Sequence, residues 1–468
     1  EFLDKFKNQK IGFQGINIIA KSLTEEFMDR GYVTTRVLVK EQDLTGKQLK
    51  LTLIPGKIRT IKFEDNNPFG TWHNAFPTKP GDILNIRNLE QGLEQMKRVP
   101  SQDVDIKIAP GDNPGESDII LSVKRDKQYR TYISMDDSGT ESTGKIQSTV
   151  TFAVDNLLGL NDLFNVSINK DAMKDDEKFG TRGNSIYYSI PYGNETFSFS
   201  KSYNNYHQTV ENAINPFLSS GKSETTQFGV KHLLSRDQKQ KTNLDISVIK
   251  KKRRSYIDDT EIQVQRQDTT ALKIGIEQRK YIGKTTIDSV LEFKKGVPWL
   301  GAEAGPTDNV PGEATTQYKM WLLDTTLTTP MKLGDVNAQY KMNFRAQRTN
   351  DRIYGSEFFS IGGRYTVRGF DGEQNLSAES GWVIQNEIAI PLVKANSQFY
   401  IGIDYGRVSG PSTEYLLGKD LLGTAIGFRG SVGSCQYDVF AGWAIKKPEG
   451  YKTANPAFGF QFVFQLYN

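Results

Sequence analysis

Residues able to do covalent chemistry are few in this 468-residue chain. The single cysteine, Cys435, allows no intrachain disulfide and reads as structural filler near the start of a late strand. His73, His207 and His232 are scattered and lack metal-ligand spacing. No nucleophile–base pairing, HExxH or phosphate-cradling glycine motif can be read from the chain. No metal, no cofactor and no enzymatic activity are expected. The residues whose types suggest a task are Val367-Arg368-Gly369-Phe370. A guanidinium can fork onto a carboxylate through two charge-assisted bonds, and the adjoining glycine lets the chain turn tightly. The tetrapeptide lies near the middle of a Gly-rich segment, 349–379, and connections of that length are usually functional.

The elements around this segment must hold it. Read by twos from Asp335 to Gln347, Val336, Ala338, Tyr340, Met342, Phe344 and Ala346 share one face. Asn337, Gln339, Lys341, Asn343 and Arg345 share the other. An alternating run this long points to a wall between lipid and water. Charged residues make up 24% of the chain, and no apolar stretch reaches the ~18 residues of a membrane helix. A membrane crossing by this chain therefore takes a closed barrel, which satisfies every backbone polar group. The 42 glycines, 20 tyrosines and 26 phenylalanines suit strands, tight turns and aromatic belts. The net charge of +4 reads as lacking a concentrated basic block, so nucleic acid is not an expected partner.

Residues 1–57 read as helix then strands: Ile16, Ile19, Leu23 and Phe27 fall at helical spacing within 11–30, and Gly31 stops the helix. Strands are expected over 32–40 and 48–54. Residues 58–127 repeat the theme, with strands at 58–63, 104–109 and 118–123 and a helix at 86–99. From 128 to 468 only strands and turns are expected. Sixteen strands lie near 129–137, 144–155, 160–170, 183–191, 195–204, 223–233, 241–257, 258–280, 284–296, 315–329, 334–348, 380–391, 398–405, 419–432, 435–446 and 455–467. Short connections alternate with long ones at 205–222, 297–314, 349–379 and 406–418, the habit of outer-membrane barrels. Phe458, Phe460, Phe462 and Phe464 at period two suit a closing strand.

Several segments together resemble a known family. They are Gly31-Tyr32-Val33-Thr34-Thr35-Arg36, Pro55-Gly56-Lys57-Ile58, Met96-Lys97-Arg98-Val99-Pro100-Ser101 and Pro110-Gly111 through Ser117. Asp155-Asn156-Leu157-Leu158-Gly159-Leu160-Asn161-Asp162 and the VRGF tetrapeptide complete the set. In that order they are similar to the outer-membrane transporters of two-partner secretion. This TpsB group exports haemagglutinin, haemolysin and contact-dependent-inhibition proteins, and it lies within the wider family of the barrel-assembly insertase. The resemblance implies a mainly β chain: two small α+β POTRA modules in the periplasm, then a 16-stranded antiparallel transmembrane β-barrel in outer-membrane lipid. It also implies a plug helix and linker ahead of the first POTRA strand, and this sequence begins inside that module.

By the same resemblance the VRGF loop folds back into the barrel and Arg368 meets an acidic wall residue. Asp404 is the best match and Glu387 the second. In a partly wet lumen the pair is expected to be screened and modest in strength. The partner is a secreted exoprotein that crosses the lumen extended, driven by its own folding outside, and a monomer suffices. The POTRA modules would bind it by strand addition. Tyr32, Val33, Thr34, Thr35 and Arg36 in one module, and Val104, Ile106 and Ile108 in the other, are the candidate docking strands. Three alternatives stand beside this reading. An insertase would usually carry more POTRA modules, a passive porin would need none, and a β-sandwich adhesin would lack the barrel.

Overall fold

The computed structural model describes residues 3–467 apart from 8, 46–47, 66–68, 173–177, 212–215, 304, 306–312 and 393–395. They divide into two compact units: residues 1–128 with 155–163 and 190–196, and the remainder from 129 to 468.

In the first unit, helix α1 (Phe13–Asp29) buries Ile16, Ile19 and Ala20 and ends at Gly31, whose φ of +96° suits glycine. Strands β1 (Arg36–Leu38) and β2 (Thr52–Ile54) form a short antiparallel pair beside it. The next stretch carries β3 (Lys57–Phe63), α2 (Ile86–Lys97), β4 (Gln102–Pro110) and β5 (Glu116–Arg125). The sheet order is β3-β5-β4, with β3 parallel and β4 antiparallel to β5. Asn85 caps α2 by accepting from Arg87 N at 2.9 Å. Leu89 and Met96 on one face of α2 pack with Ile58, Ile61, Val104, Ile119 and Leu121. Burying each such side chain stabilises the module by about 1.5–3 kcal/mol. The turn 155–163 joins this unit by specific bonds. Asp155 accepts from Ser101 N at 2.9 Å, and Asn161 Nδ2 donates to Thr71 O at 2.7 Å.

The second unit is a closed antiparallel barrel. Its spanning strands are β6 (Tyr129–Asp136), β7 (Gln147–Asp155), β8 (Leu163–Asp171), β9 (Phe179–Tyr192), β10 (Glu195–Val210), β11 (Phe217–Arg236) and β12 (Gln240–Ile257). After the two-residue β13 (Thr260–Glu261) come β14 (Gln267–Ile282), β15 (Thr285–Gly296), β16 (Lys319–Leu333) and β17 (Val336–Thr349). The loop hairpin β18 (Phe359–Ile361) and β19 (Leu376–Ala378) precedes β20 (Ser380–Leu392), β21 (Ser397–Ser409), β22 (Asp420–Val432), β23 (Cys435–Lys446) and β24 (Ala457–Tyr467). Without β13, β18 and β19 this gives sixteen strands, and β24 closes on β6 through seven register pairs from Gln461↔Asp136 to Tyr467↔Arg130. Two-residue turns join four hairpins on one side, each opening on a glycine with φ between +56° and +61° at Gly193, Gly283, Gly334 and Gly433. Glycine at the first position with φ > 0 fits the II′ turn, whose twist matches the flanking strands.

Several expected boundaries move. The strand expected over 258–280 begins at Gln267 instead. Asp258 and Asp259 both take positive φ, turning the chain into the β12–β13 hairpin, and a 3-10 turn over Gln263–Gln265 follows. The loop expected over 205–222 is mostly strand, because β10 runs to Val210 and β11 starts at Phe217; residues 212–215 lie outside the described residues. These extensions lack a sustained apolar alternation, and side-chain bonds add to the ladder: Thr209 Oγ1 donates to Lys178 O at 3.0 Å and Leu218 N donates to Asp258 Oδ1 at 2.8 Å. The strand expected from 160 starts at Leu163, since Asn156 and Asn161 hold left-handed turn conformations. In the first module, only Arg36–Leu38 of the 32–40 strand and Thr52–Ile54 of the 48–54 strand form.

Candidate functional site

The 350–379 connection is held by two kinds of contact. The first is apolar. Val367 and Phe370 are buried with Ile361, Leu376, Val383, Val408, Leu421 and Tyr451 in one cluster. The rings of Phe370 and Tyr451 meet edge to face at 5.6 Å. The tetrapeptide's two apolar residues thus anchor the loop on either side of Arg368.

The second contact is ionic. Arg368 Nε and Nη2 donate to the two oxygens of Asp404 at 2.8 Å each, a bidentate fork. The Arg368 backbone N–H donates to Asp404 Oδ2 at 2.9 Å, and Nη1 donates to Glu387 Oε2 at 2.6 Å. Glu387 also accepts from Arg429. Two guanidiniums therefore face two carboxylates. Tyr400 lies against both arginines, with its ring centroid 5.8 Å from Arg368 Cζ and 4.8 Å from Arg429 Cζ. Its hydroxyl donates to Asp438 at 2.7 Å.

This network is buried rather than screened: Asp404 is 0% exposed and Arg368 and Glu387 are 8% each. The expected weak, water-screened pair is corrected by the packing of the loop over it. Removing one member of a buried pair leaves an uncompensated charge, at a cost of about 3–5 kcal/mol.

The wall is shaped to receive the loop. A Cβ at Gly402 would lie 2.3 Å from Arg368 Nη2, and one at Gly423 1.9 Å from the Arg368 carbonyl oxygen. A Cβ at Gly442 would lie 2.6 Å from the Gly369 nitrogen. Gly369 has φ +103°, and a Cβ there would meet the Trp443 backbone at 2.4 Å. Three neighbouring strands, β21, β22 and β23, each give up a side chain so that the loop backbone can lie on them.

Further ties fix the loop to other strands and to the β6–β7 connection. Lys251 and Lys294 both reach Glu357. Lys145 reaches Glu373 at 3.2 Å. Arg364 pairs with Asp137 and donates to Phe460 O at 2.6 Å, while Asp137 accepts from Phe460 N at 3.0 Å. The β24–β6 register continued by one step would set Phe460 opposite Asp137. There a carboxylate and a guanidinium replace the backbone rung.

Arg368, Asp404 and Glu387 are thus brought together, with Val367, Gly369 and Phe370 beside them. Sequence reasoning missed Arg429, Arg364, Asp137 and the glycine seat. One signal was present: Gly402, Asp404 and Gly406 fall on one face at period two. The POTRA candidates fare differently. Tyr32, Val33, Thr34 and Thr35 lie in the turn before β1, and only Arg36 is on a strand. The Thr35 hydroxyl accepts from Gly56 N at 3.2 Å, and Val33 packs against the second module's core. Val104, Ile106 and Ile108 do lie on an edge strand, β4, but Val104 is buried and Ile106 and Ile108 pack against the core. What that edge offers is its backbone and the exposed Asp103, Asp105 and Lys107.

Comparisons with known proteins agree with this architecture. The family model described as haemolysin secretion/activation protein ShlB/FhaC/HecB matches residues 115–430. POTRA models match 57–110 and, in the ShlB type, 1–56. Outer membrane transporter CdiB-2 of Burkholderia pseudomallei is 42% identical over 473 residues, covering 100% of this chain and 80% of that protein. Hemolysin transporter protein HpmB of Proteus mirabilis is 29% identical, covering 87% and 72%. The solved structure of CdiB from Escherichia coli aligns with a TM-score of 0.91 at 26% identity, over 99% of this chain and 87% of that one. CdiB from Acinetobacter baumannii gives 0.88 at 28%, over 99% and 85%. BamA from Haemophilus ducreyi shares the fold, with a TM-score of 0.55 at 12% identity. The sixteen-stranded barrel, the POTRA domains and these relatives place the protein in the outer membrane with its POTRA domains in the periplasm. The chain belongs to the ShlB/FhaC/HecB family of haemolysin secretion/activation proteins, the transporters of two-partner secretion.

Proposed function

We propose that this chain exports one large partner exoprotein of the contact-dependent-inhibition type, extended, through the barrel lumen. The 42% identity to a transporter named CdiB-2 and the fit to two CdiB structures support that client class. The observation that carries the mechanism is the buried seat of Arg368 on Asp404 and Glu387. It holds a long loop against the wall by contacts that can be broken without covalent chemistry. The client meets β4 in the periplasm by strand addition, and its folding outside supplies the drive. Every spanning strand is paired within the barrel, which supports function as a monomer in lipid.

The test is secretion of a co-expressed candidate client from the neighbouring reading frame by wild type, Arg368→Ala and Asp404→Ala. Barrel assembly is checked by heat-modifiable gel mobility. The expected result is lost export from assembled barrels. Unchanged export in both variants removes the role of the seat. A wild type that passes small solutes but no client removes the transporter reading.

A further inference from the structure

The charge of the barrel is more local than the net value of +4 suggests. The expectation of no concentrated basic block is corrected here: Lys250 to Arg254 are five consecutive basic residues on β12. Strand alternation splits them. Lys251 faces the lumen, where it reaches Glu357 of the long loop. Lys250, Lys252 and Arg254 instead continue the outward row of Leu244, Ile246 and Val248. The chain enters the barrel at the start of β6 from the periplasmic domains. Strands alternate in direction, so β12 ends on the outer side.

Neighbouring strands complete a surface. Register sets Phe228 beside Val248, Thr226 beside Lys250, Glu224 beside Lys252 and Lys222 beside Arg254. Lys201 on β10 reaches Glu224 at 2.9 Å. The rings of Phe199 and Phe228 lie 4.9 Å apart beneath the basic residues. Lys222 Nζ rests 5.1 Å from the Tyr256 ring centroid, and Lys252 is exposed. Five cations, Lys201, Lys222, Lys250, Lys252 and Arg254, share this face with two carboxylates, Glu224 and Asp268, leaving an excess of three positive charges. Glu261 lies between Arg254, at 3.6 Å, and Arg266, at 2.9 Å; counting Glu261 and Arg266 together leaves that excess unchanged.

Four residues separate Phe228 from Glu224 and Val248 from Lys252. That is about 13 Å along a strand, or about 10 Å of height at a barrel tilt of ~40°. The aromatic pair then lies at acyl-chain depth and the lysines at headgroup depth. We propose that the outward face of β10–β12 binds a phosphorylated glycolipid of the outer leaflet, its phosphate on Lys222 and Lys252 and its acyl chains on Phe199 and Phe228. Lysine ammonium groups are suited to phosphate as point charges, and basic clusters beside a bilayer read lipid headgroups. A soluble anion would leave the aromatic pair unused.

The test is native mass spectrometry of the full chain in detergent, with diphosphorylated lipid A, its dephosphorylated form and phosphatidylethanolamine. The expected result is retention of the diphosphorylated lipid only. Lys222→Glu/Lys252→Glu should lower that retention by about tenfold or more, and Lys280→Glu, at the other end of the barrel, should leave it unchanged. Heat-modifiable mobility reports whether each variant is folded. If the reversal fails to fold, Lys222→Gln/Lys252→Gln gives the same comparison. Equal retention by a folded double variant, or equal retention of the dephosphorylated lipid, overturns the proposal. Because export is not the readout, this failure is separate from failure of the export reading.

Discussion

Arg368 shares one guanidinium between two carboxylates, and its backbone N–H adds a third link to Asp404. A lysine supplies charge without the planar fork. Arg368→Lys should therefore restore only part of the export lost in Arg368→Ala, measured as secreted client per assembled barrel. Gly423→Ala separates shape from charge. Its Cβ would meet the Arg368 carbonyl oxygen while every ion pair keeps its partner, at an overpacking cost of about 1–3 kcal/mol. Export should fall in Gly423→Ala with barrel mobility unchanged. Normal export would mean that the loop is not held by this seat. The motif and the two acidic partners were legible because the loop and the wall each carry a recognisable short signature. Arg429 was not, since only register shows that it faces the lumen beside Glu387. Burial of the network was also illegible, because it arises from Val367 and Phe370 packing on strands distant in sequence.

At the scale of elements, alternation and glycine turns carried the reading. Tyr340, Met342 and Phe344 pair across the outward face with Ile388, Asn386 and Ile384. Three of the four II′ glycines, Gly193, Gly283 and Gly433, lie in the expected short connections, whereas the strand expected from 334 starts at Val336, so that Gly334 belongs to the turn before it. The misread stretches share a cause: near 205–222 and 258–266, the chain lacks a sustained apolar alternation or turns on non-glycine residues. In the second POTRA module Asp118 is buried, and Arg59 holds its carboxyl down at about 2, aided by Thr60 and opposed by burial. A depressed carboxyl pKa stabilises the fold fully above the ordinary range near 4. That contribution is lost as pH falls through about 2. Protection of the β3 and β5 amides, taken relative to intrinsic exchange at each pH, should fall over that window in the wild type. Arg59→Met should shift the change to higher pH, whereas matching profiles would deny the pair its role. For docking, Asp105→Cys on β4, with Cys435→Ser, should crosslink to client carrying a single cysteine. Lys62→Cys on the opposite sheet edge, β3, should not. Equal labelling of both would remove strand addition at β4.

Over the whole barrel, closure rests on the short β24–β6 seam, and the loop that carries Arg368 also supplies its last rung through Arg364 and Asp137. A hydrogen bond to a charged group is worth about 1.5–3 kcal/mol. Arg364→Ala should therefore speed exchange of the Phe460 amide by about tenfold or more, while amides in β15 and β16 stay unchanged. A uniform acceleration would assign the effect to global destabilisation. The sixteen-strand count was legible from turn spacing, whereas this seam contact joins residues 323 positions apart and left no local trace. The central claim, that an extended client crosses the lumen, is tested most directly by photo-crosslinking during export. Lys341 and Arg345 face the lumen on β17, and Met342 and Phe344 face outward. Crosslinker at 341 and 345 should capture stalled client, and crosslinker at 342 and 344 should not. Capture from the outward face alone, or from none of the four during active export, would contradict passage through the barrel.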